Sequence, residues 1–288
     1  MIVLKKAVII PNPKKDAELR VSAILAEKLF KIGIVPYIDS DYGSYLVPKG
    51  AIVYSDFPED AELIIVVGGD GSVIDASKYA VLHDVPILGV NLGKVGYLSE
   101  VEPDNLDVLD RLLDGDYKIV EKLLLSAELR SDDRVLRCEH LAVNDVVISH
   151  DDYFGIADFT LENDLGDRVK YRADSVIIST PAGSTAYSLS AGGPIVAHNV
   201  NSMLVTPVCP HSFFNRSIIF DASESLTVRN ICEQNLKISV DGRSFATMAN
   251  GESCIVSASK KKLKMITFSE NNMFSTLFKK MRILEDIK

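Results

Sequence analysis

Four residues at the end of an apolar run carry the first recognisable chemistry of this sequence. Gly68-Gly69-Asp70-Gly71 follows Ile64-Ile65-Val66-Val67 and opens a helical pattern. Glycines at a strand-to-helix turn permit positive φ and let the backbone approach a ligand closely. The free N–H groups of the helix start then face that ligand, and the helix dipole favours an anion there. Gly68, Gly69, Gly71 and Ser72 are therefore candidates to hold a phosphate. The pattern is neither GxxxxGK[ST] nor GxGxxG. Asp70 is the anomaly, because a carboxylate beside a phosphate is costly unless it accepts a proton or holds a cation. Both roles fit phosphoryl transfer. The alternative is a turn aspartate that caps a helix beginning at Ser72.

A second segment, Asp174 to Pro194, reads DSVIISTPAGSTAYSLSAGGP. A strand runs into a turn rich in Pro, Gly, Ser and Thr. Such a turn lets a flat ring lie against the backbone and hydrogen-bond to it. It is equally the form of a structural loop whose small residues pack closely on a sheet.

The elements that must position these turns follow from periodicity. Lys5 to Ile10 reads as a strand. Lys15 to Lys31 shows one apolar helical face, with Gly33 at the expected C-terminal cap. Ile34 to Ile38, Glu62 to Val67 and Val85 to Val90 read as further strands, with a helix up to His83 between the last two. Asp39 to Pro58 is polar and turn-rich. This alternation predicts an open parallel α/β sheet with right-handed crossovers. Asn105 to Asp114 predicts one more helix. Strands dominate afterwards: Leu123–Arg130, Arg134–His140, Ala142–Ser149, Ala157–Glu162, Ser175–Ser179, Ser217–Phe220, Ser225–Val228, Leu236–Val240, Cys254–Ser259 and Leu263–Phe268. The expected fold is α/β. An N-terminal α/β phosphate-binding domain covers 1–100 and carries GGDG. A β-rich, antiparallel sandwich-like dinucleotide domain covers 101–268. A tail at 269–288, helical over Met273 to Leu284, is expected to pack back on the first domain.

Composition limits the partners. The net charge of -9 over 288 residues argues against broad contact with nucleic acid. No apolar run approaches the ~18 residues of a membrane span. MIVLKKAVII reads as a first strand rather than a secretory leader, so the chain is expected to be cytoplasmic. The four cysteines form no CxxC clip and the five histidines are scattered, so no protein-held metal site is expected.

Taken together, the motifs resemble the NAD kinase family. They are GGDG at Gly68–Gly71, NLGKVGYL at Asn91–Leu98, Asn144-Asp145, STPAGSTAYSLSAGGPIV at Ser179–Val196, PHSFFNR at Pro210–Arg216 and SVDG at Ser239–Gly242. The resemblance covers most of the chain and implies ATP-dependent phosphorylation of the adenosine ribose 2′-hydroxyl of NAD, with a divalent cation such as Mg²⁺ accompanying ATP. It implies that Asp70 takes the hydroxyl proton and that Gly71 and its neighbours approach the phosphates. Tyr97 would lie near the adenine, Asn144 would hydrogen-bond it, and Asp145 would hold the ribose hydroxyls. Thr185, Ala186, Tyr187, Ser188, Leu189 and Ser190 would line the dinucleotide pocket, with His211 nearby. Asp174 would accept from the nicotinamide carboxamide and Arg172 would supply charge near phosphate. A homodimer or homotetramer is also implied.

Five positions depart from the family pattern. Ala173-Asp174-Ser175 stands where Gly-Asp-Gly is usual, which puts the Asp174 loop in question if either glycine needs positive φ. Ala182 replaces a hydroxyl residue, and Asp145 is shorter than the common Glu. Asp75 occupies a position often basic, with Lys78 three residues on along the same face as a replacement charge. Two other functions share some of these motifs. A lipid or other small-alcohol kinase accounts for GGDG but not for GSTAYSLSAGGP. A non-catalytic dinucleotide-binding regulator accounts for the pocket but not for Asp70.

Overall fold

A computed structural model describes residues 4–43, 50–93, 96–150, 155–211 and 215–268. The expected tail at 269–288 lies outside them, as do Lys94, Val95 and residues 212–214 of the quoted motifs. The chain forms two compact units. One runs up to Glu121 and resumes at Leu263; the other is Lys122–Lys262. The sequence reading placed its boundaries at 100 and 268. Among the described residues, no helix is long and apolar enough to cross a membrane.

In the first unit, β1 (Lys6–Pro11), β2 (Val35–Asp39), β3 (Ile52–Tyr54), β4 (Leu63–Gly68) and β5 (Ile87–Asn91) form a parallel sheet in the order β5-β4-β1-β2-β3. All six residues of β4 and all five of β5 are buried, as expected of parallel strands covered on both faces. The chain leaves β1 towards β2 and β3, then returns to the other side of β1 as β4. The topological switch point therefore lies between β1 and β4. Ligands of open α/β sheets bind outside the carboxyl ends of the strands at such a point.

Two expected helices change form for local reasons. The helix expected from Lys15 begins as a 3-10 turn, Ala17–Leu19, and becomes α1 only at Arg20–Lys31. Glu18 and Leu19 have φ of 53° and 55°. The buried Asp16 carboxylate accepts from the Val21 and Ser22 N–H groups, which caps the helix after that break. Over Leu106–Leu112 the chain is a 3-10 helix. Its buried residues, Leu106, Leu109 and Leu112, recur every third position, the period of a 3-10 rather than an α-helix.

The second unit is antiparallel. Its strands include most of β6 (Lys118–Ser131), with β7 (Arg134–Ala142), β8 (Asp145–His150), β9 (Ala157–Asn163), β10 (Arg168–Ala173), β11 (Ser175–Ser179), β12 (Ser202–Val208), β13 (Ile218–Asp221), β14 (Ser225–Asn230), β15 (Leu236–Val240), β16 (Arg243–Met248) and the start of β17 (Ser253–Thr267). One sheet has the order β13-β12-β11-β8-β15-β16, and β10, β9, β14 and β17 are neighbours in another. A single cluster, including Ile148, Phe159, Tyr171, Ile178, Val205, Val228 and Ile238, buries side chains of both, so the unit is a sandwich. The expected Cys254–Ser259 and Leu263–Phe268 strands are one strand, β17, running through Lys260–Lys262. Strands β3, β10, β12 and β16 were not expected from the sequence.

Candidate functional site

The Gly68-Gly69-Asp70-Gly71 turn joins β4 to α2 (Asp70–His83). None of its glycines has positive φ, so the expectation of left-handed backbone here is corrected. Closeness is the requirement instead. A Cβ on Gly68 would overlap the Ser72 side chain, while one on Gly69 would lie 2.5 Å from the Lys15 amine, the movable end of a long side chain. Outside its own helix, a Cβ on Gly71 would meet no atom of the described residues within 4 Å, so their packing does not explain that glycine.

Asp70 is the first residue of α2, after the N-cap Gly69, and caps neither Ser72 nor Val73, whose N–H groups go to the Gly69 carbonyl. The capping alternative is therefore also corrected. Its carboxylate reaches sideways to the loop after β5, where Oδ2 accepts from the Tyr97 N–H at 2.8 Å and Oδ1 from the Leu98 N–H at 2.9 Å. Each oxygen keeps a further lone pair, and the residue is half-buried. Burial and the nearby Asp70 charge both hold the Tyr97 phenol above its ordinary pKa.

In the second unit the corresponding polar residues are Asn144 and Asp145, at the start of β8. The Asp241 carboxylate accepts from the N–H groups of Val143 and Asn144 at 2.8 Å each and of Asp145 at 3.1 Å. Asp241 and Gly242, with φ of 48° and 75°, form the hairpin turn between β15 and β16. The same turn is thus also a clamp on residues 143–145, a role the sequence did not reveal. From the other side, Thr180 N–H donates to the Asn144 carbonyl at 2.9 Å and Thr180 Oγ1 to the Val143 carbonyl at 2.8 Å. A Cβ on Gly183 would overlap the Asn144 carbonyl, so this glycine of the STPAGSTAY turn is needed for contact between the two motifs.

The backbone of Asn144-Asp145 is fully engaged while its side chains are not. Neither the Asn144 amide nor the Asp145 carboxyl hydrogen-bonds within the described residues. Asp145 is 5% exposed. Burial, then the neighbouring Asp241, pushes its pKa up to about 7. Asp241 is raised by the same burial, but its three N–H donors pull the other way. Of the two acids, Asp145 is therefore the one that keeps its proton to the higher pH.

Two family models match this chain: the ATP-NAD kinase N-terminal domain over residues 52–117 and the ATP-NAD kinase C-terminal domain over 143–268. The chain belongs to the NAD kinase family. The NAD kinase of Geobacter sulfurreducens is 33% identical over 252 residues, covering 87% of this chain and 88% of that protein. That of Acidobacterium capsulatum is 36% identical over 286 residues, covering 97% and 99%. The same fold is present in yeast NADH kinase solved with NADH, with a TM-score of 0.82 at 23% identity, covering 96% of this chain and 87% of that one. An NAD kinase from Archaeoglobus fulgidus solved with ATP gives 0.71 at 22% identity, covering 96% and 99%.

The remaining residues implied by the NAD kinase pattern differ in burial. Thr185 and Leu189 are half-buried, while Tyr187 and Ser190 are exposed. Ser188 is buried, its hydroxyl 2.9 Å from that of Thr206. Arg172 is exposed, and its carbonyl accepts from the His211 N–H at 2.7 Å. Asp174 links β10 to β11, and neither Ala173 nor Ser175 has positive φ, so the missing glycines impose no strain there. Lys78 lies about two turns along α2 from Asp70, its amine over the Tyr79 ring at 4.8 Å. No three His, Cys, Asp or Glu side chains gather as metal ligands among the described residues.

Proposed function

We propose that this chain is an NAD kinase that transfers the terminal phosphoryl group of ATP to the adenosine ribose 2′-hydroxyl of NAD, giving NADP and ADP. The observation that carries the reading is the unspent pair Asn144 and Asp145. A buried carboxyl with no hydrogen bond is costly to maintain, and an amide beside it offers both a donor and an acceptor. Adenine edge and ribose hydroxyls supply the complementary groups. A neutral Asp145 both donates to and accepts from a hydroxyl, which fixes the sugar without adding negative charge near the phosphates.

Asp70 is the proton acceptor. Its two backbone donors fix its plane, and each oxygen's remaining lone pair is free for the 2′-hydroxyl proton. Positioning and proton removal are what a poorly nucleophilic alcohol requires. As the ribose oxygen forms its bond to phosphorus and the bond to the ADP oxygen breaks, the proton passes to Asp70. Tyr97 and the Thr185–Ser190 segment line the dinucleotide, and Arg172, Asp174 and His211 serve its far half. The described residues do not form a protein cage for a metal. A divalent cation, Mg²⁺, would accompany the ATP phosphates and neutralise their charge. The enzyme acts in the cytoplasm as a homodimer or homotetramer.

A coupled assay for NADP tests the reading. The chain with NAD, ATP and Mg²⁺ should form NADP, and Asn144→Ala should weaken NAD binding about tenfold by calorimetry. Turnover of a lipid alcohol but not NAD, or NAD binding without turnover by any donor, would overturn it.

A further inference from the structure

The GGDG turn has a cationic neighbour that its own sequence does not announce. Lys15 follows β1, and its Nζ reaches across the switch point to the turn after β4. A Cβ placed on Gly69 would lie 2.5 Å from this amine, and one placed on Gly93, in the loop after β5, 3.7 Å from it. Three loops at the carboxyl ends of adjacent parallel strands thus meet around one ammonium group. In a chain with 40 acidic residues, Lys15 has no carboxylate partner among the described residues.

Its backbone is fixed on both sides. Asn12 N–H donates to the Val67 carbonyl at 2.9 Å, and the Asn12 carbonyl accepts from the Lys15 and Asp16 N–H groups, each at 2.9 Å. Asn12 Nδ2 donates to Ser72 Oγ at 2.7 Å, which ties this loop to the first turn of α2. On the other side, the buried Asp16 is held by Val21 and Ser22. The lysine side chain is exposed, and it starts from a backbone fixed beside the turn.

A second observation concerns the turn itself. The Asp70 and Gly71 N–H groups make no hydrogen bond among the described residues, whereas those of Ser72 and Val73 are taken by the Gly69 carbonyl. Among the described residues, no atom outside this helix comes within 4 Å of a Cβ placed on Gly71. Two orphan N–H donors, an ammonium group and open space form a receptor for a polyanion. Lys78, the basic residue suggested by spacing, lies over Tyr79 instead.

We propose that Lys15 binds the polyphosphate of the phosphoryl donor, holding it against the Asp70 and Gly71 N–H groups. This deepens the NAD kinase reading and rests on it. The ammonium offsets the Asp70 charge, which otherwise repels the donor's phosphates, and leaves that carboxylate to the acceptor hydroxyl. The recognised chemistry is a chain of phosphates, whether carried by ATP or by inorganic polyphosphate.

Lys15→Ala, Lys15→Arg and the unaltered protein should be compared in two measurements. In steady-state assays, Lys15→Ala should raise the KM for ATP at least tenfold and leave the KM for NAD within twofold, with Lys15→Arg recovering most of the loss. In calorimetry without NAD, inorganic tripolyphosphate should bind the unaltered protein and bind Lys15→Ala at least tenfold more weakly. ATP affected but tripolyphosphate not would restrict the contact to the nucleotide donor and still support the role. A KM for ATP within twofold of the unaltered value, or an equal loss for NAD, would overturn it. If the unaltered protein formed no NADP yet bound tripolyphosphate through Lys15, the donor site would stand and the NAD kinase reading would fall.

Discussion

The two polar centres solve one problem in opposite ways. In the first unit a single carboxylate has two jobs: Asp70 fastens the loop at Tyr97 and Leu98 and, in the proposed reaction, takes the hydroxyl proton. In the second unit the jobs are split. Asp241 does the fastening, through three N–H groups, and the buried Asp145 carboxyl has no hydrogen bond among the described residues. A proton acceptor needs to be held in place and partly open to its substrate. A residue that recognises hydroxyls benefits from a dry site where each hydrogen bond counts for more. Division of labour is possible only where a second acid can be brought in, here by the β15–β16 turn.

That contrast can be broken most severely at Asp70. Asp70→Asn should lower kcat by about 10²–10⁴-fold, the range for loss of a general base. Because the new amide also turns an NH₂ towards one of the two N–H groups, the loop at Tyr97–Leu98 should loosen as well, seen as faster amide exchange there. A kcat within tenfold of the unaltered value would remove the base assignment.

Asp145→Asn is the matching test in the second unit, read through stability. The Asp145 pKa in the folded protein is raised from 3.8 to about 7, so the folded state holds this proton more tightly than the unfolded one. Its contribution is full below about pH 4 and is lost as pH rises through about 7. The fall is at most on the order of 4 kcal/mol. Thermal melts should show this decline between about pH 4 and 8 in the unaltered protein and a flatter profile in Asp145→Asn. The same decline in both would show that Asp145 is not the buried proton carrier. The smallest effect is expected at Lys78, whose amine lies over Tyr79. Lys78→Met should leave the KM for ATP within twofold, and a tenfold rise would return to Lys78 the role assigned to Lys15.

Much of the fold was legible because the relevant signals are local. The apolar run of β4 and the glycines after it show in sequence both a buried strand and its turn. Strand β10 was missed because its pattern, RVKYRA, exposes charged side chains and buries only Tyr171 and Ala173. Strand β12 carries Pro207, which argues against a strand. It is tolerated because β13 pairs only with Ser202 to Val205 and ends before the proline. The three lysines within β17 made one strand read as two. At the site, the chemistry-bearing residues could be named, but their supports could not. Asp241 reaches residues nearly a hundred positions earlier, and the approach of Lys15 to Gly69 depends on the order of strands in the sheet. Spacing pointed to Lys78 because it lies on the same helix, whereas proximity belongs to a lysine from another loop.

The second unit interrupts the first, and this has a cost while the chain is being made. Strand β5 leaves the ribosome with the Ile87 side of its edge bare, because its partner Met265 belongs to the segment that resumes at Leu263. About 170 residues, 92–262, must be translated in between, roughly ten to thirty seconds at ordinary elongation rates. The sandwich can close during that wait, while the nascent nucleotide-binding sheet stays unfinished and open to wrong pairings. Slow translation over 122–262 should therefore favour capture of the half-built sheet by chaperones or by neighbouring nascent chains.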